Sequence, residues 1–137
     1  NANLALIALS KGNVKDAETY MGKSSGAEGF NEANAALNIA KGSYQQAASA
    51  ANGVKSNTAA LAQILNKDYA AAKSTLNGVA NKDAYTSYLL AIVAARTNDA
   101  AGVNTNLKDA VSKDSSLKSR AVKDLEFAEY KSAVESL

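Results

Sequence analysis

Apolar and polar positions along this chain fall into short blocks with helical spacing, separated by small polar or glycine-bearing turns. The pattern predicts helices over about 2–11, 14–22, 28–41, 44–52, 57–66, 69–77, 82–97 and 100–112. In the closing segment, SSLKSRAVKDLEFAEYKSAVESL, the residues Leu117, Ala121, Val122, Leu125, Ala128 and Ala133 recur at helical spacing. It reads as one more helix, capped by Ser115 or Ser116 and broken near Glu126.

The blocks repeat. KGNVKDA (11–17) returns as KGSYQQA (41–47), and the wider frame gives four copies: NLALIALSKGNVKDA (3–17), NAALNIAKGSYQQA (34–47), TAALAQILNKDYAAA (58–72) and LLAIVAARTNDAAGV (89–103). The equivalent turn positions are Gly12, Gly42, Lys67 and Asn98, so the spacings are 30, 25 and 31 residues. One position in the first half is always alanine: Ala5, Ala35, Ala60 and Ala91. Val14, Tyr44, Tyr69 and Ala100 follow the turns, and three residues later stand Ala17, Ala47, Ala72 and Val103. Each copy therefore predicts two helices joined by a tight turn. A left-handed residue ends the first helix, and Asn13, Ser43, Asp68 or Asp99 caps the second. Two NGV stretches (52–54 and 77–79) end second helices and lie 25 residues apart, matching the local repeat. Gly102 falls inside a predicted helix, where it costs about 1 kcal/mol against Ala.

Composition supports an all-α fold. Alanine supplies 30 of the 137 residues, and Pro, Cys, His and Trp are absent. Ala has the highest helix propensity, and nothing here breaks helices as Pro would. A methyl side chain also lets helices approach closely. The formal charge is +2, with five basic and four acidic residues in 1–56, the same in 57–112, and five of each in 113–137. So even a spread argues against nucleic acid or an anionic membrane as the main partner. No apolar run approaches the length of a membrane span. Without Cys there are no disulfides, thiolate metal sites or Cys nucleophiles. The chain opens NANLAL without Met, which reads as a processed or trimmed piece with any export signal upstream.

The repeat resembles the tetratricopeptide repeat (TPR). Ala5, Ala35, Ala60 and Ala91 match that family's small residue in the first helix. Gly12-Asn13-Val14, Gly42-Ser43-Tyr44 and Lys67-Asp68-Tyr69 match its turn, and Ala17, Ala47 and Ala72 its final alanine. The likeness spans nearly the whole chain, but the repeats are shorter than the family's 34 residues. No Pro closes them, and the large aromatic early in the first helix is missing. The closing KDSSLKSRAVKDLEFAEY is similar to the ends of repeat proteins from bacterial cell envelopes, which implies an envelope or periplasmic location, with the cytoplasm as the alternative. The resemblance implies a TPR-like α-solenoid: antiparallel helix pairs in a right-handed superhelix, first helices lining a concave face. It implies a single domain over 1–137, with repeats at about 1–26, 27–55, 56–80 and 81–113 and a capping helix at 114–137. It further implies a non-enzymatic module that binds a protein or peptide.

Candidate residues follow from these frames. The Gly-Lys turns lack the second Gly and the Lys-Ser/Thr of a phosphate-binding loop, so they read as capped turns. In YTSYLLAIVAAR, Tyr85, Tyr88, Ile92 and Arg96 share one side of a helix that the resemblance turns toward the groove. Aromatics and Arg are favoured at binding hot spots. The plainer reading packs Tyr88 and Ile92 on the capping helix and leaves Arg96 solvated. Asn31, Asn34 and Asn38 offer side-chain amides to a peptide backbone, or are surface polar residues. Asp124, Glu126 and Glu129 read as a solvated, salt-bridged face, and neither a catalytic set, a cofactor nor a metal is expected. Two functions result: a groove that holds a peptide or partner domain, or a scaffold or spacer that self-associates. Catalysis is a remote third.

Overall fold

The chain reverses where a residue with left-handed backbone ends a helix, and four such residues stand at the repeat's turn positions. The computed structural model describes residues 8–9, 11–22 and 29–137. Gly12, Gly42, Lys67 and Asn98 have φ of 75°, 76°, 64° and 59°. After each, Asn13, Ser43, Asp68 and Asp99 donate a backbone N–H over 2.8 Å to the carbonyl five residues earlier, on Ala8, Asn38, Gln63 and Ala94. Each turn residue donates to the carbonyl three residues earlier. This is the Schellman arrangement, which satisfies carbonyls that the helix end leaves unpaired. Glycine adopts it freely, whereas Lys67 and Asn98 adopt it against a Cβ clash worth roughly 1–2 kcal/mol for an ordinary residue.

The second helices begin less uniformly than the sequence predicts. Asn13 Oδ1 accepts the Asp16 N–H at 3.1 Å, and Asp99 Oδ1 the Gly102 N–H at 3.0 Å. Ser43 makes no side-chain capping bond, and Tyr44, which follows it in the repeat, is exposed. Gly102 has a reason beyond propensity. A Cβ there would crowd the Asp99 carboxylate and lie 3.0 Å from the Ala94 methyl, so a side chain at this position would push on both the cap and the helix contact.

Secondary structure among the described residues is entirely helical, and the chain divides into two compact units, Asn1–Asp68 and Tyr69–Leu137. In the first unit lie α1 (Val14–Gly22), α2 (Phe30–Ala40), α3 (Tyr44–Ala50) and α4 (Asn57–Leu65). Helix α2 buries two sides. Ala33 and Leu37 pack with Ala8, Ala17 and Met21, while Ala35 packs with Ala47, Ala51, Ala59 and Ala62. The repeat's small position is fully buried wherever it is described, at Ala35, Ala60 and Ala91; Ala5 lies outside the described residues. Ala17, Ala47, Ala72 and Val103 are fully buried too.

The second unit holds α5 (Tyr69–Asn77), α6 (Ala84–Arg96), α7 (Ala100–Lys113), α8 (Leu117–Lys123), a 3₁₀ turn (Leu125–Phe127) and α9 (Lys131–Glu135). A capping box of Asp83 and Thr86 starts α6. Tyr88, Ala91, Val103, Leu107 and Ala110 share one core with Leu117, Ala121, Phe127 and Val134. Ser87, buried on α6, donates its hydroxyl to Asp109 on α7, tying the two helices. That bond, and then Lys113, hold the Asp109 carboxyl below its usual range.

The closing segment is broken around Glu126, as its sequence suggests, into α8, the 3₁₀ turn and α9. Asp124 leaves helical geometry at ψ 121° and accepts the Glu126 N–H at 3.0 Å, the kind of local side-chain bond that competes with a helix. Val122, on α8 before the break, is exposed, and the break shifts the register beyond it, so Leu125 and Ala128, which share helical spacing with Leu117 and Ala121, are exposed and Phe127 is buried instead. Among the described residues no helix is long and apolar enough to cross a membrane.

Candidate functional site

Helix α6 carries four of the candidate residues, and the chain's own closing segment covers their side. Tyr88 is fully buried, its ring edge-on to Phe127 with centroids 5.5 Å apart at 87°. Its hydroxyl donates to Asp124 Oδ2 at 2.6 Å. Burial first, and then Asp124, push the phenol well above the usual tyrosine range. Tyr85 is half-buried, and its phenol is also raised by burial, opposed by Arg120. The Arg120 guanidinium lies 4.9 Å from the Tyr88 ring centroid and 5.8 Å from that of Tyr85, within cation–π range. Ile92 is half-buried against the same core.

Arg96 is not free in solvent. Its Nε donates to Glu126 Oε2 at 2.6 Å, its Nη2 to Glu126 Oε1, and its Nη1 to the Tyr69 hydroxyl at 3.1 Å. The Glu126 hydrogen bonds, followed by that of Tyr69, stabilise the guanidinium charge and raise its pKa. Because the pair is partly exposed, it contributes about 1 kcal/mol or less, and its main effect is to fix geometry. Tyr130 adds a long bond of 3.4 Å to the Ala95 carbonyl. A depression of about 380 Å³ remains beside these contacts, lined by Arg96, Asp124, Glu126, Glu129 and Tyr130 among others.

Of the acidic residues read as a solvated, salt-bridged face, Glu126 forms a salt bridge with Arg96 and Glu129 is exposed, whereas Asp124 departs by accepting the Tyr88 hydroxyl. No cluster of three or more side chains able to hold a metal occurs among the described residues. Sequence reasoning missed Arg120 and Phe127 as partners of α6. A lone Phe amid charged residues was the available signal, because a ring that size is rarely left in water.

The asparagine candidates lie in the first unit. Asn34 and Asn38 stand one turn apart on α2, half-buried, and Asn38 Nδ2 donates to the Asn34 carbonyl at 2.9 Å and to Asn34 Oδ1 at 3.1 Å. Asn31 is exposed at the start of the helix. Asn34 and Asn38 line an open depression of about 720 Å³ with Gln45, Gln46, Ser49 and Ala50 of α3. The side chains of Gln45, Gln46 and Ser49 have no hydrogen-bond partner among the described residues. The glutamines sit inside the turn motif, where their sequence context signals a cap rather than a surface. Ala47 and Ala51 face inward, which turns Gln45, Gln46 and Ser49 outward on the same helix. The lining carries no charge, and four carboxamides offer both donors and acceptors. Comparison with family models, with curated proteins and with solved structures finds no match.

Proposed function

We propose that this chain is a non-catalytic protein-interaction module of TPR-like build, and that it holds an extended peptide in the amide-lined depression of its first unit. The observation that carries this reading is the convergence of Asn34, Asn38, Gln45 and Gln46 on one open, uncharged surface. A peptide backbone alternates N–H donors with C=O acceptors, and a carboxamide meets either. The repeated Schellman turns and buried alanines support the TPR-like reading, in which stacked helix pairs present such surfaces. On α6, by contrast, Tyr88 and Arg96 already engage the closing segment, so that side is occupied.

The test is selection of peptides from a random display library against the intact chain. Selected peptides should bind with little salt dependence, because the lining is uncharged. Replacing exposed Gln45 and Gln46 together by Ala should weaken them about tenfold, the equivalent of roughly 1.4 kcal/mol. No enrichment, or full binding by the double variant, would overturn the proposal.

A further inference from the structure

Leu125 and Val122 are 89% and 62% exposed, the most exposed large apolar side chains among the described residues. Leu125 is held outward rather than merely unplaced. On one side Asp124 accepts the Tyr88 hydroxyl, on the other Glu126 holds Arg96, and Phe127 is anchored in the core. With its neighbours fixed on both sides, the backbone presents Leu125 rigidly to solvent.

Leu125 and Val122 themselves stand at the wall of a hollow of about 390 Å³, to which buried Ala121, Phe127 and Val134 contribute further apolar surface. Lys123, Lys131 and Glu135 also line it, and none of the three has an ion-pair partner among the described residues. One patch therefore bears an apolar knob, an apolar hollow, and rim charges of both signs. A two-fold interface needs this self-complementarity, because the same surface must meet itself, residue i facing j and j facing i. An unrelated partner would need only one half of each pair.

We infer that the outer face of the closing segment is a self-association surface whose partner is a second copy of this chain. Leu125 of each copy enters the hollow of the other, and Lys123 and Lys131 face the other copy's Glu135. The preorganised backbone lowers the ordering cost of association. The patch is small beside the roughly 1,200 Å² that stable interfaces bury, so the dimer is weak, with Kd on the order of 100 µM. This inference is independent of the peptide-binding reading and shares no residue with it.

Sedimentation of the intact chain over a wide concentration series tests it. The parent should shift from one chain to two as concentration rises. Leu125→Ser should weaken that shift at least about tenfold, with an unchanged thermal melt because the residue is exposed. Lys131→Glu should weaken it as well, and adding Glu135→Lys should restore it by exchanging the rim charges. A parent that stays monomeric throughout would overturn the inference. So would a Leu125→Ser variant that associates as tightly as the parent, or association lost instead on replacing exposed Tyr44.

Discussion

Replacing Gly42 with Ala isolates the backbone cost of the turn on which the repeat is built. A Cβ at Gly42 meets nothing within 4 Å, so the substitution creates no clash with other parts of the fold. What remains is φ of 76°, where an L residue with a Cβ is disfavoured by roughly 1–2 kcal/mol. Against this, Ala has a less disordered unfolded state, worth about 0.4–1 kcal/mol. The net loss is about 1 kcal/mol, or a fall in Tm of about 3–5 °C for a chain of this size. Lys67, at φ 64°, occupies the equivalent turn with a Cβ already present, so Lys67→Gly should show the opposite sign and raise Tm by a similar amount. Thermal melts followed by circular dichroism measure both. If Gly42→Ala melted with the parent, or Lys67→Gly melted lower, the equivalence of the turns would be refuted.

Tyr88→Phe keeps the edge-on contact with Phe127 but removes the 2.6 Å bond to Asp124, which should cost about 1–2 kcal/mol in urea denaturation, since Asp124 regains some water. Because the folded phenol pKa is raised, its contribution is complete below about pH 10 and is lost as pH rises through the folded value. Tyrosinate absorbance of the parent should therefore contain a late component that disappears in Tyr88→Phe. An unchanged titration would contradict this placement of Tyr88. Ala35→Leu should overpack the contact of Ala35 with Ala47, Ala51, Ala59 and Ala62, costing about 1–3 kcal/mol, and a thermal melt matching the parent would show that α2 has been oriented wrongly.

The turns were legible in the sequence because local chemistry determines them. A Gly or Asn before a capping residue marks a helix end wherever it stands, and Lys67 was found only because its neighbours repeat those of Gly42. The alanine positions were legible for a related reason: they repeat in register with the turns, and burial against a neighbouring helix follows. The closing segment was legible only in part: its break near Glu126 was, and the register across that break was not. Helical spacing groups Leu125 with Leu117 and Ala121, which are buried, but Asp124 takes the Glu126 N–H and bonds to Tyr88, 36 residues away, which periodicity does not encode. The same holds for the amide-lined depression. Asn34 and Asn38 could be paired from their four-residue spacing, whereas their meeting with Gln45 and Gln46 depends on how α3 folds back on α2.

Whether Asn34, Asn38, Gln45 and Gln46 form a peptide-binding surface is tested most directly by nuclear magnetic resonance. The side-chain amide signals of the intact chain are followed while a display-selected peptide is added. Saturable shifts should appear on those four carboxamides and on the α2 and α3 backbone around them, with the Tyr88, Arg96 and Leu125 regions unmoved. Shifts confined to α6 or the closing segment, with the four carboxamides unchanged at saturation, would contradict the assignment.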